Sequence, residues 1–376
     1  MRRKSELVRL VMIFAVSLLT ALGCSEDENP TRPPGTIWPV WSAMGSGVNN
    51  SVLALTEYNG QLIAGGSFAS AGDVSVSHVA AWNGRCWSAL GSGMNGDVWA
   101  LAEYNGQLIA GGDFNAAGDV SANHVAAWNG SSWSALASGT NGSIRGITEY
   151  NGQLMAGGNF TSAGGVSVNY VAAWDGSSWS TLGSGTNGRV WVLAEYNGQL
   201  IAGGEFDTAG GVNANSIAVW DGSSWSALGS GMNGNVWALA EYNGQLIAGG
   251  DFNTAGDVTV NHIAAWDESS WSPLGSGIGG LVWDLAEYDG QLMVGGAFFV
   301  AGGVRANCIA AWNGSSWSPL GLGTDGTVSA LAEHSKWLMA GGRFTSAGGV
   351  SARKIAAWGP RPLWFGQGRA DCTQPF

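Results

Sequence analysis

Residues 98–136 read VWALAEYNGQLIAGGDFNAAGDVSANHVAAWNGSSWSAL, and this stretch recurs along the chain at a constant step of 46 residues. The step is clearest in the tryptophan of a W-S-x-(L/M)-(G/A) motif, which keeps it without one insertion or deletion. A second tryptophan, in A-(A/V)-W, and a Gly-Gly pair keep the same step. Fixed periods of this length are typical of solenoids, arrays and propellers. The motif tryptophans are Trp41, Trp87, Trp133, Trp179, Trp225, Trp271 and Trp317.

The content of one copy predicts four short antiparallel strands. Asn129-Gly130 lies between the third and fourth predicted strands, and Asn105-Gly106 stands between two apolar runs. Asn-Gly is a strong hairpin signal in that setting, because a type I′ turn needs two residues at positive φ. No segment of the copy shows a sustained helical period, and four strands in about 45 residues are typical of a propeller blade. The predicted strands cover residues 98–104, 107–110, 124–128 and 131–136.

Counting these strands predicts a closed ring. The first three occur seven times, but the last copy ends at Trp358-Gly359-Pro360 without its fourth strand. Residues 38–45 have the sequence of a fourth strand with no blade in front of it. If they pair with the third strand of the last copy, no sheet edge stays open. Leu363-Trp364-Phe365 is a competing candidate, out of register by one residue. We therefore predict an all-β, seven-bladed β-propeller with four antiparallel strands per blade, closed by the N-terminal strand.

Each copy also carries an apolar strand that ends in a double glycine and is followed by two spaced tryptophans. In the copy quoted above these are Gly111-Gly112, Trp128 and Trp133. The pattern resembles the kelch motif over residues 38–358, although the two aromatic residues are closer together than is usual and the first is Trp rather than Tyr. The resemblance implies a four-stranded blade. Kelch-like propellers include binding scaffolds and copper oxidases similar to galactose oxidase, and this chain lacks the ligand set of the oxidases.

The beginning of the chain predicts export. A basic start precedes an apolar run at residues 10–23, which is too short to span a bilayer and has the layout of a secretory signal, so residues 1–23 are assigned to a signal peptide. The small residue before Cys24 resembles a bacterial lipobox, in which the cysteine is acylated; Ala21 and Leu22 are atypical there, and ordinary cleavage is the alternative. Residues 24–37 would then be a lipidated linker, and 359–376 a C-terminal tail. We expect an outer-membrane or cell-surface lipoprotein of a bacterium, or else a secreted protein, whose lipid is its single membrane contact.

Composition narrows the possible partners. Charged residues make up 11% of the chain, against about 25% in an average soluble domain. Without residues 1–23 the chain has 11 basic and 26 acidic residues, so we predict no nucleic-acid binding. The four histidines lie in separate copies and give no compact metal cluster, and the acidic loops at Asp113 and Asp251 lack a full calcium signature. We expect a monomer without a metal or cofactor; the disulfide state of Cys86, Cys308 and Cys372 is left open.

Comparing the copies with one another locates the candidate site. In a four-stranded meander the tight turns after the first and third strands share one face, here called the turn face. The loops after the second and fourth strands share the opposite face, here called the loop face. The residues of the turn face are nearly the same in every copy. On the loop face, the residue after Gly-Gly and the second residue of each inner strand differ between copies. The candidate ligand-binding residues are Asp113, Glu205, Asp251 and Arg343 at the first position, and Trp99, Arg145, Trp191, Trp237 and Trp283 at the second.

These residue types favour binding over catalysis. Aromatic platforms stack on sugar rings or pack against apolar peptide surfaces, and an arginine adds a charged or stacked contact. The competing interpretation is that the tryptophans only fill space between blades. We predict a non-enzymatic binding or interaction module of the bacterial cell envelope, with a glycan or protein ligand. The alternatives are a glycan-active hydrolase or lyase at the channel mouth, which would need two carboxylates there, and a structural envelope protein. The glutamate that recurs before each hairpin is expected to bond turn or neighbouring-blade backbone.

Overall fold

A computed structural model describes residues 39–360 as a ring of seven antiparallel sheets, each with four main strands. The described residues contain no helix. They therefore include no helix long and apolar enough to cross a membrane. The predicted fold, a seven-bladed β-propeller, is confirmed. The predicted signal peptide (1–23), the lipidated Cys24, the linker and residues 361–376 of the tail lie outside the described residues.

Blades are numbered here by their first strand in chain order. The first strands cover Val52–Tyr58, Asp97–Tyr104, Ile144–Tyr150, Arg189–Tyr196, Val236–Tyr242, Ile278–Tyr288 and Val328–His334. The second strands cover Gln61–Gly66, Gln107–Asp113, Gln153–Gly158, Gln199–Glu205, Gln245–Gly250, Gln291–Ala301 and Trp337–Gly342. The third strands cover Val79–Trp82, Val125–Trp128, Val171–Trp174, Ile217–Trp220, Ile263–Trp266, Ile309–Trp312 and Ile355–Gly359. The fourth strands cover Trp87–Ala89, Trp133–Ala135, Trp179–Thr181, Trp225–Ala227, Trp271–Pro273, Trp317–Pro319 and, for blade 7, Val40–Ala43.

Short two-residue strands lie in the loop between the second and third strands of each blade. In six blades two of them form a small separate hairpin, whereas in blade 6 one pairs with the lengthened second strand. The hairpins pair Ser70–Ala71 with Val74–Ser75, Ala116–Ala117 with Val120–Ser121, Ser162–Ala163 with Val166–Ser167, Thr208–Ala209 with Val212–Asn213, Thr254–Ala255 with Val258–Thr259, and Ser346–Ala347 with Val350–Ser351; the blade 6 strand is Val304–Arg305.

The N-terminal strand closes the ring, as predicted. Val40–Ala43 pairs antiparallel with the third strand of blade 7, with Trp41 opposite Trp358. The first strands of blades 7 and 1 also contact each other, so the inner strands form an unbroken wall around the central channel. The competing segment at residues 363–365 lies outside the described part of the chain. The fourth-strand position of blade 7 is occupied without it.

The repeated tryptophans build the junctions between blades. Seven hydrophobic cores each join two neighbouring blades, including blade 7 with blade 1. Within blade 2 the rings of Trp128 and Trp133 pack at 5.2 Å between centroids and 46° between planes. The indole Nε1 of Trp133 donates to the Leu90 carbonyl, beyond the fourth strand of blade 1, at 2.8 Å. The prediction that these tryptophans pack blade against blade is confirmed.

The double glycine is required by close packing on both sides of the strand. A Cβ on Gly111 would lie 2.6 Å from the Ile144 side chain of the next blade. A Cβ on Gly112 would lie 2.0 Å from the Asp97 carbonyl oxygen of its own blade. Any larger residue at either position would therefore push the inner strands apart.

The turn face repeats one hydrogen-bonding scheme. Asn105 and Gly106 adopt φ values of 50° and 70°, as a type I′ turn requires. The hydroxyl of Tyr104 donates to the Gly152 carbonyl in the hairpin of the next blade at 3.1 Å, and five other tyrosines do the same. At the ring closure His334 replaces the tyrosine, and its Nδ1 lies 2.8 Å from the Glu57 carboxylate.

The expectation for the recurring glutamates is wrong. All seven are exposed, and among the described residues only Glu57 forms a side-chain hydrogen bond, to His334 rather than to backbone. The pleat of the inner strand explains this result, because the glutamate is followed by a tyrosine whose ring is buried and the two side chains leave opposite faces of the strand. The glutamates of the other blades extend into solvent.

Candidate functional site

The candidate residues of the inner strands all lie on β-bulges. In blade 2, Val98 pairs with Gly112 and Ala100 pairs with Gly111, so Trp99 has no partner in the ladder. A bulge bends its strand and re-aims the extra side chain. Because the inner strands start at the loop face, the bulges lie near that mouth of the channel. The seven bulged residues are Leu53, Trp99, Arg145, Trp191, Trp237, Trp283 and Ser329.

The four candidate tryptophans are partly buried. None of them belongs to an interblade core formed by the described residues, in contrast to the paired tryptophans of the junctions. Trp237 and Trp283 stand on blades 5 and 6, and no arginine within residues 39–360 lies over either ring. Trp99 and Trp191, on blades 2 and 4, flank Arg145 of blade 3. The bulges of blades 2 to 4 therefore differ from the others, because they combine an arginine with two tryptophans.

In that sector the guanidinium of Arg145 lies between two indoles. Its Cζ is 3.8 Å from the ring centroid of Trp99 and 5.5 Å from that of Trp191. Arg189, at the start of the inner strand of blade 4, has its Cζ 5.8 Å from the ring centroid of Trp191. Cation–π contacts of this geometry are worth about 0.5–2 kcal/mol each, more where water is excluded. We call Trp99, Arg145, Trp191 and Arg189 the aromatic–arginine cluster.

Burial and charge act in opposite directions on Arg145. Burial lowers the pKa of the guanidinium from its usual value and Arg189 adds to the effect, whereas the carboxylates of Asp113 and Asp97 raise it. The Nε of Arg145 and the Nε1 atoms of Trp99 and Trp191 are buried without a hydrogen-bond partner. A buried donor without a partner costs about 1–3 kcal/mol. Three such donors in one cluster mark it as a place where a polar ligand or a bridging water would be stabilising.

The candidate residues after the double glycine divide between sectors. Asp113 is exposed and lies 3.8 Å from Nδ1 of His124, and Glu205 is exposed and accepts from Arg189 at 3.2 Å. Asp251 is partly buried and accepts from the Asn235 backbone at 2.5 Å. Arg343 is exposed on blade 7 and does not join the cluster. The structure thus places the first two beside the aromatic–arginine cluster, the third one blade further on, and the fourth elsewhere.

A polar depression of about 900 Å³ continues from the cluster across the loop face of blades 3 to 5. Arg189 and Glu205 form part of its wall, so it adjoins the cluster directly. Amide side chains dominate the remaining wall, which offers both donors and acceptors. Its other polar side chains include Asn159, Asn187, Asp207, Asn215, Asn233 and Asn235.

Asp284 was missed by the sequence reasoning. It follows the bulged Trp283, where every other blade has Ala, Gly or Val. Its carboxylate accepts from its neighbour Leu285 N at 2.9 Å and from Leu331 N of the next blade at 2.6 Å. Burial raises its pKa to about 7, although both donors act to lower it. The sequence did contain a signal for it, because Asp284 is the one ionisable residue at that position among the seven copies.

Within residues 39–360 no group of three or more metal-ligating side chains comes together. The candidate calcium loop of blade 2 is instead held by amides, since Asn95 Nδ2 donates to Asn115 Oδ1 at 2.6 Å. Of the two cysteines in this range, Cys308 is free and buried, whereas Cys86 is disulfide-bonded.

Comparison with known proteins supports the fold. Residues 41–191, under half of the chain, match the Rax2 C-terminal beta propeller domain. The WD40 repeats of RRP9 superpose with a TM-score of 0.56 at 13% identity, covering 85% of this chain and 97% of that one. The WD40 beta propeller domain of Doa1 gives 0.55 at 13% identity, with 85% and 96% covered. The computationally designed Ika8 protein gives 0.50 at 14% identity, with 84% and 99% covered. At these identities the likeness shows the propeller fold alone. No curated protein matches the chain.

Proposed function

We propose that the protein is a non-enzymatic binding module of the bacterial cell envelope that holds a glycan or protein ligand at the loop-face mouth of its channel. The observation that carries the proposal is the aromatic–arginine cluster. Arg145 stands between Trp99 and Trp191 on a wall whose backbone is otherwise repeated seven times. A near-symmetric ring recognises an asymmetric ligand only through such departures in a few blades.

The chemistry of this sector suits an oxygen-rich ligand with at least one apolar surface. Indole rings offer flat faces for sugar rings or side chains, and guanidinium groups donate to hydroxyl or carboxylate oxygens. Asp113 and Glu205 at the rim would accept from ligand hydroxyl or amide groups. The polar depression beyond Arg189 extends the surface enough for a ligand larger than one sugar ring.

Placement at the envelope rests on the predicted signal peptide and Cys24. The path of the chain is compatible with a tether. Val40 begins the closing strand opposite Gly359, at the end of the blade where the other third strands make their tight turns. The closing strand therefore starts at the turn face, the face opposite the proposed binding site. Assignment to the kelch-like type is part of the proposal and is supported by the double glycine and the paired tryptophans.

The test measures binding of the purified protein to a glycan array and to a panel of envelope proteins, followed by affinity measurements on each hit. Arg145→Leu installs the residue that blade 1 carries at the equivalent position, Leu53. We expect it to weaken binding at least tenfold without lowering the melting temperature. Lys336→Gly is the matched control, because it removes an exposed cation from the turn face and restores the glycine of the other hairpins. Binding that is equally strong in both variants would refute the assignment of the site.

One observation favours the hydrolase or lyase alternative. Asp97 and Asp113 stand opposite each other across the inner hairpin of blade 2, which gives two carboxylates at the channel mouth. If this alternative holds, the purified protein would release reducing sugars from a bound glycan, and Asp113→Asn would abolish release while binding persists. If the glycans stay intact after prolonged incubation, the hydrolase or lyase alternative is refuted and the binding module remains the proposed function.

A further inference from the structure

Two large apolar side chains are exposed together on the loop face of blades 6 and 7. Phe299 and Leu322 are each 71% exposed, more than any other large hydrophobic residue in the described range. Both depart from the repeat. The position of Phe299 is small or polar in the other blades, and the position of Leu322 is serine in all six others. The equivalent residues are Ala69, Asn115, Thr161, Asp207, Asn253 and Thr345 for the first, and Ser46, Ser92, Ser138, Ser184, Ser230 and Ser276 for the second.

Phe299 and Leu322 line one pocket of about 520 Å³, although they are 23 residues apart in the chain. Phe298, Arg305, Cys308 and Thr324 form part of its wall. Pockets of this size accommodate one bulky side chain with its neighbours. The surface is therefore concave, with apolar side chains in its wall. We call it the blade 6–7 surface.

A local change in the backbone presents Phe299 rigidly. In blade 5, Asn233 Oδ1 accepts from the backbone N–H groups of Asn253 and Thr254, both at 2.9 Å, and this interrupts the inner hairpin. Blade 6 has Gly279 at the equivalent position, and the ladder continues, with Gly280 opposite Phe298. Its first two strands consequently reach 11 residues each. Phe299 thus stands on a strand, where little conformational entropy remains to be lost on binding.

Basic residues outnumber acidic ones in the loop-face segments of blades 6 and 7, and one of them, Arg305, lines the pocket itself. Four of the eight lysines and arginines in residues 39–360 lie in the loop-face segments of blades 6 and 7, and no ion pair within that range involves them. The one carboxylate of the pocket, Asp325, accepts from the Thr345 and Ser346 backbone. Desolvation raises the pKa of this carboxyl, but the hydrogen bonds from these two residues together outweigh it and lower the pKa. In a chain with an excess of acidic residues this cationic sector is unusual. Its basic residues are Arg305, Arg343, Arg353 and Lys354.

We propose that the blade 6–7 surface docks an acidic segment of a partner protein that carries a bulky apolar side chain. The apolar side chain enters the pocket between Phe299 and Leu322, and flanking carboxylates meet Arg305 and Arg343. Charge complementarity selects this occupant, because the basic rim repels basic segments and a neutral apolar peptide leaves the rim unsatisfied. The surface lies across the ring from the aromatic–arginine cluster, so the two sites can be tested independently.

The experiment selects binders to the purified protein from a displayed library of random 12-residue peptides. We expect enriched peptides to combine Phe, Trp or Leu with adjacent Asp or Glu. Phe299→Asn with Leu322→Ser restores residues that the repeat itself uses, so the double variant should keep its melting temperature and bind a selected synthetic peptide at least tenfold more weakly. Arg305→Ser, also a residue of the repeat, should weaken binding and flatten its dependence on salt. Val212→Ser, on the loop face of blade 4, is the matched control and should change nothing.

Four results would each overturn the proposal. One is the absence of any enriched peptide. Another is enrichment of peptides that lack carboxylates, and a third is equal binding to the wild type and the double variant. The last is concentration-dependent self-association in light scattering that the double variant abolishes, which would assign the surface to a second copy of this chain.

Discussion

The two faces of the propeller are built on the same repeated backbone and treat sequence change in opposite ways. On the turn face the tyrosine of six blades bonds the hairpin of a neighbouring blade, as when the Tyr104 hydroxyl meets the Gly152 carbonyl. On the loop face the second residue of the inner strand is freed from the ladder by a bulge, and it ranges from Leu53 to Trp99 to Arg145. The junction partner is thus nearly constant and the bulged residue varies. Exposure alone does not explain this contrast, because the recurring glutamates are exposed as well.

The junction that closes the ring contains a departure from the repeat on the turn face, where His334 replaces the tyrosine, and its effect on the packing is small. His334 cannot extend as far as a tyrosine, and it bonds Glu57 of blade 1 instead of a hairpin carbonyl. Its ring remains buried, so the junction changes its partner without changing its packing. Departures on the loop face, such as Phe299, instead change what the surface presents to solvent.

Removing the closing strand tests the framework with the largest expected effect. Deletion of residues 36–47 takes away the strand that pairs with Ile355–Gly359 and the donor Trp41 Nε1, whose partner is the Leu320 carbonyl. We expect the protein to lose cooperative unfolding or to aggregate, because the edge of blade 7 becomes open. Differential scanning calorimetry and size-exclusion chromatography measure this. Deletion of residues 361–376 should have a smaller effect, since blade 7 has four strands without them; equal tolerance of both deletions would contradict closure by the N-terminal strand.

Truncating one tryptophan from each region makes the comparison directly. Trp133 is 5% exposed and packs in the core that joins blades 1 and 2. Trp133→Ala should therefore lower the free energy of unfolding by about 3–5 kcal/mol. Trp191 is partly buried on the channel wall and its Nε1 has no partner, so Trp191→Ala should cost mainly its two cation–π contacts, about 1–2 kcal/mol, while weakening ligand binding. Urea unfolding of both variants gives the two values. Similar losses would mean that the channel tryptophans are framework residues.

Asp284 departs from the repeat, yet its carboxylate joins two blades, so it tests the contrast between junction residues and variable residues. Its folded-state pKa of about 7 lies above the value of about 3.9 expected in the unfolded chain, so the native state binds the extra proton. Its contribution to stability is present below about pH 4 and is lost as pH rises towards 7. We expect the difference in unfolding free energy between Asp284→Asn and the wild type to change by about 1–4 kcal/mol over that range. Identical pH profiles for the two proteins would exclude this titration.

Much of the candidate site was accessible from the sequence because the copies can be compared with one another. That comparison singled out Trp99, Arg145 and Trp191 by their variable column, and the structure places them together. It overlooked Asp284, although the same comparison of the neighbouring column would have found it. It also expected the recurring glutamates to be bonded, whereas the pleat directs them into solvent. Burial of a strand residue depends on both faces of its sheet, and the repeat alone does not specify the second face.

The sequence by itself determined the architecture of this protein. Asn-Gly turns, the double glycine and paired tryptophans are local signals, and their repetition at a constant step specifies seven blades and a permuted closing strand. Only the tertiary structure decided which side chains meet. Arg145 stacks on two tryptophans that are each 46 residues away, because closing the ring brings successive inner strands side by side. Likewise, Phe299 and Leu322 share a pocket because Gly279 lets one hairpin lengthen towards the next blade. These contacts depend on distances between blades, which no local pattern encodes.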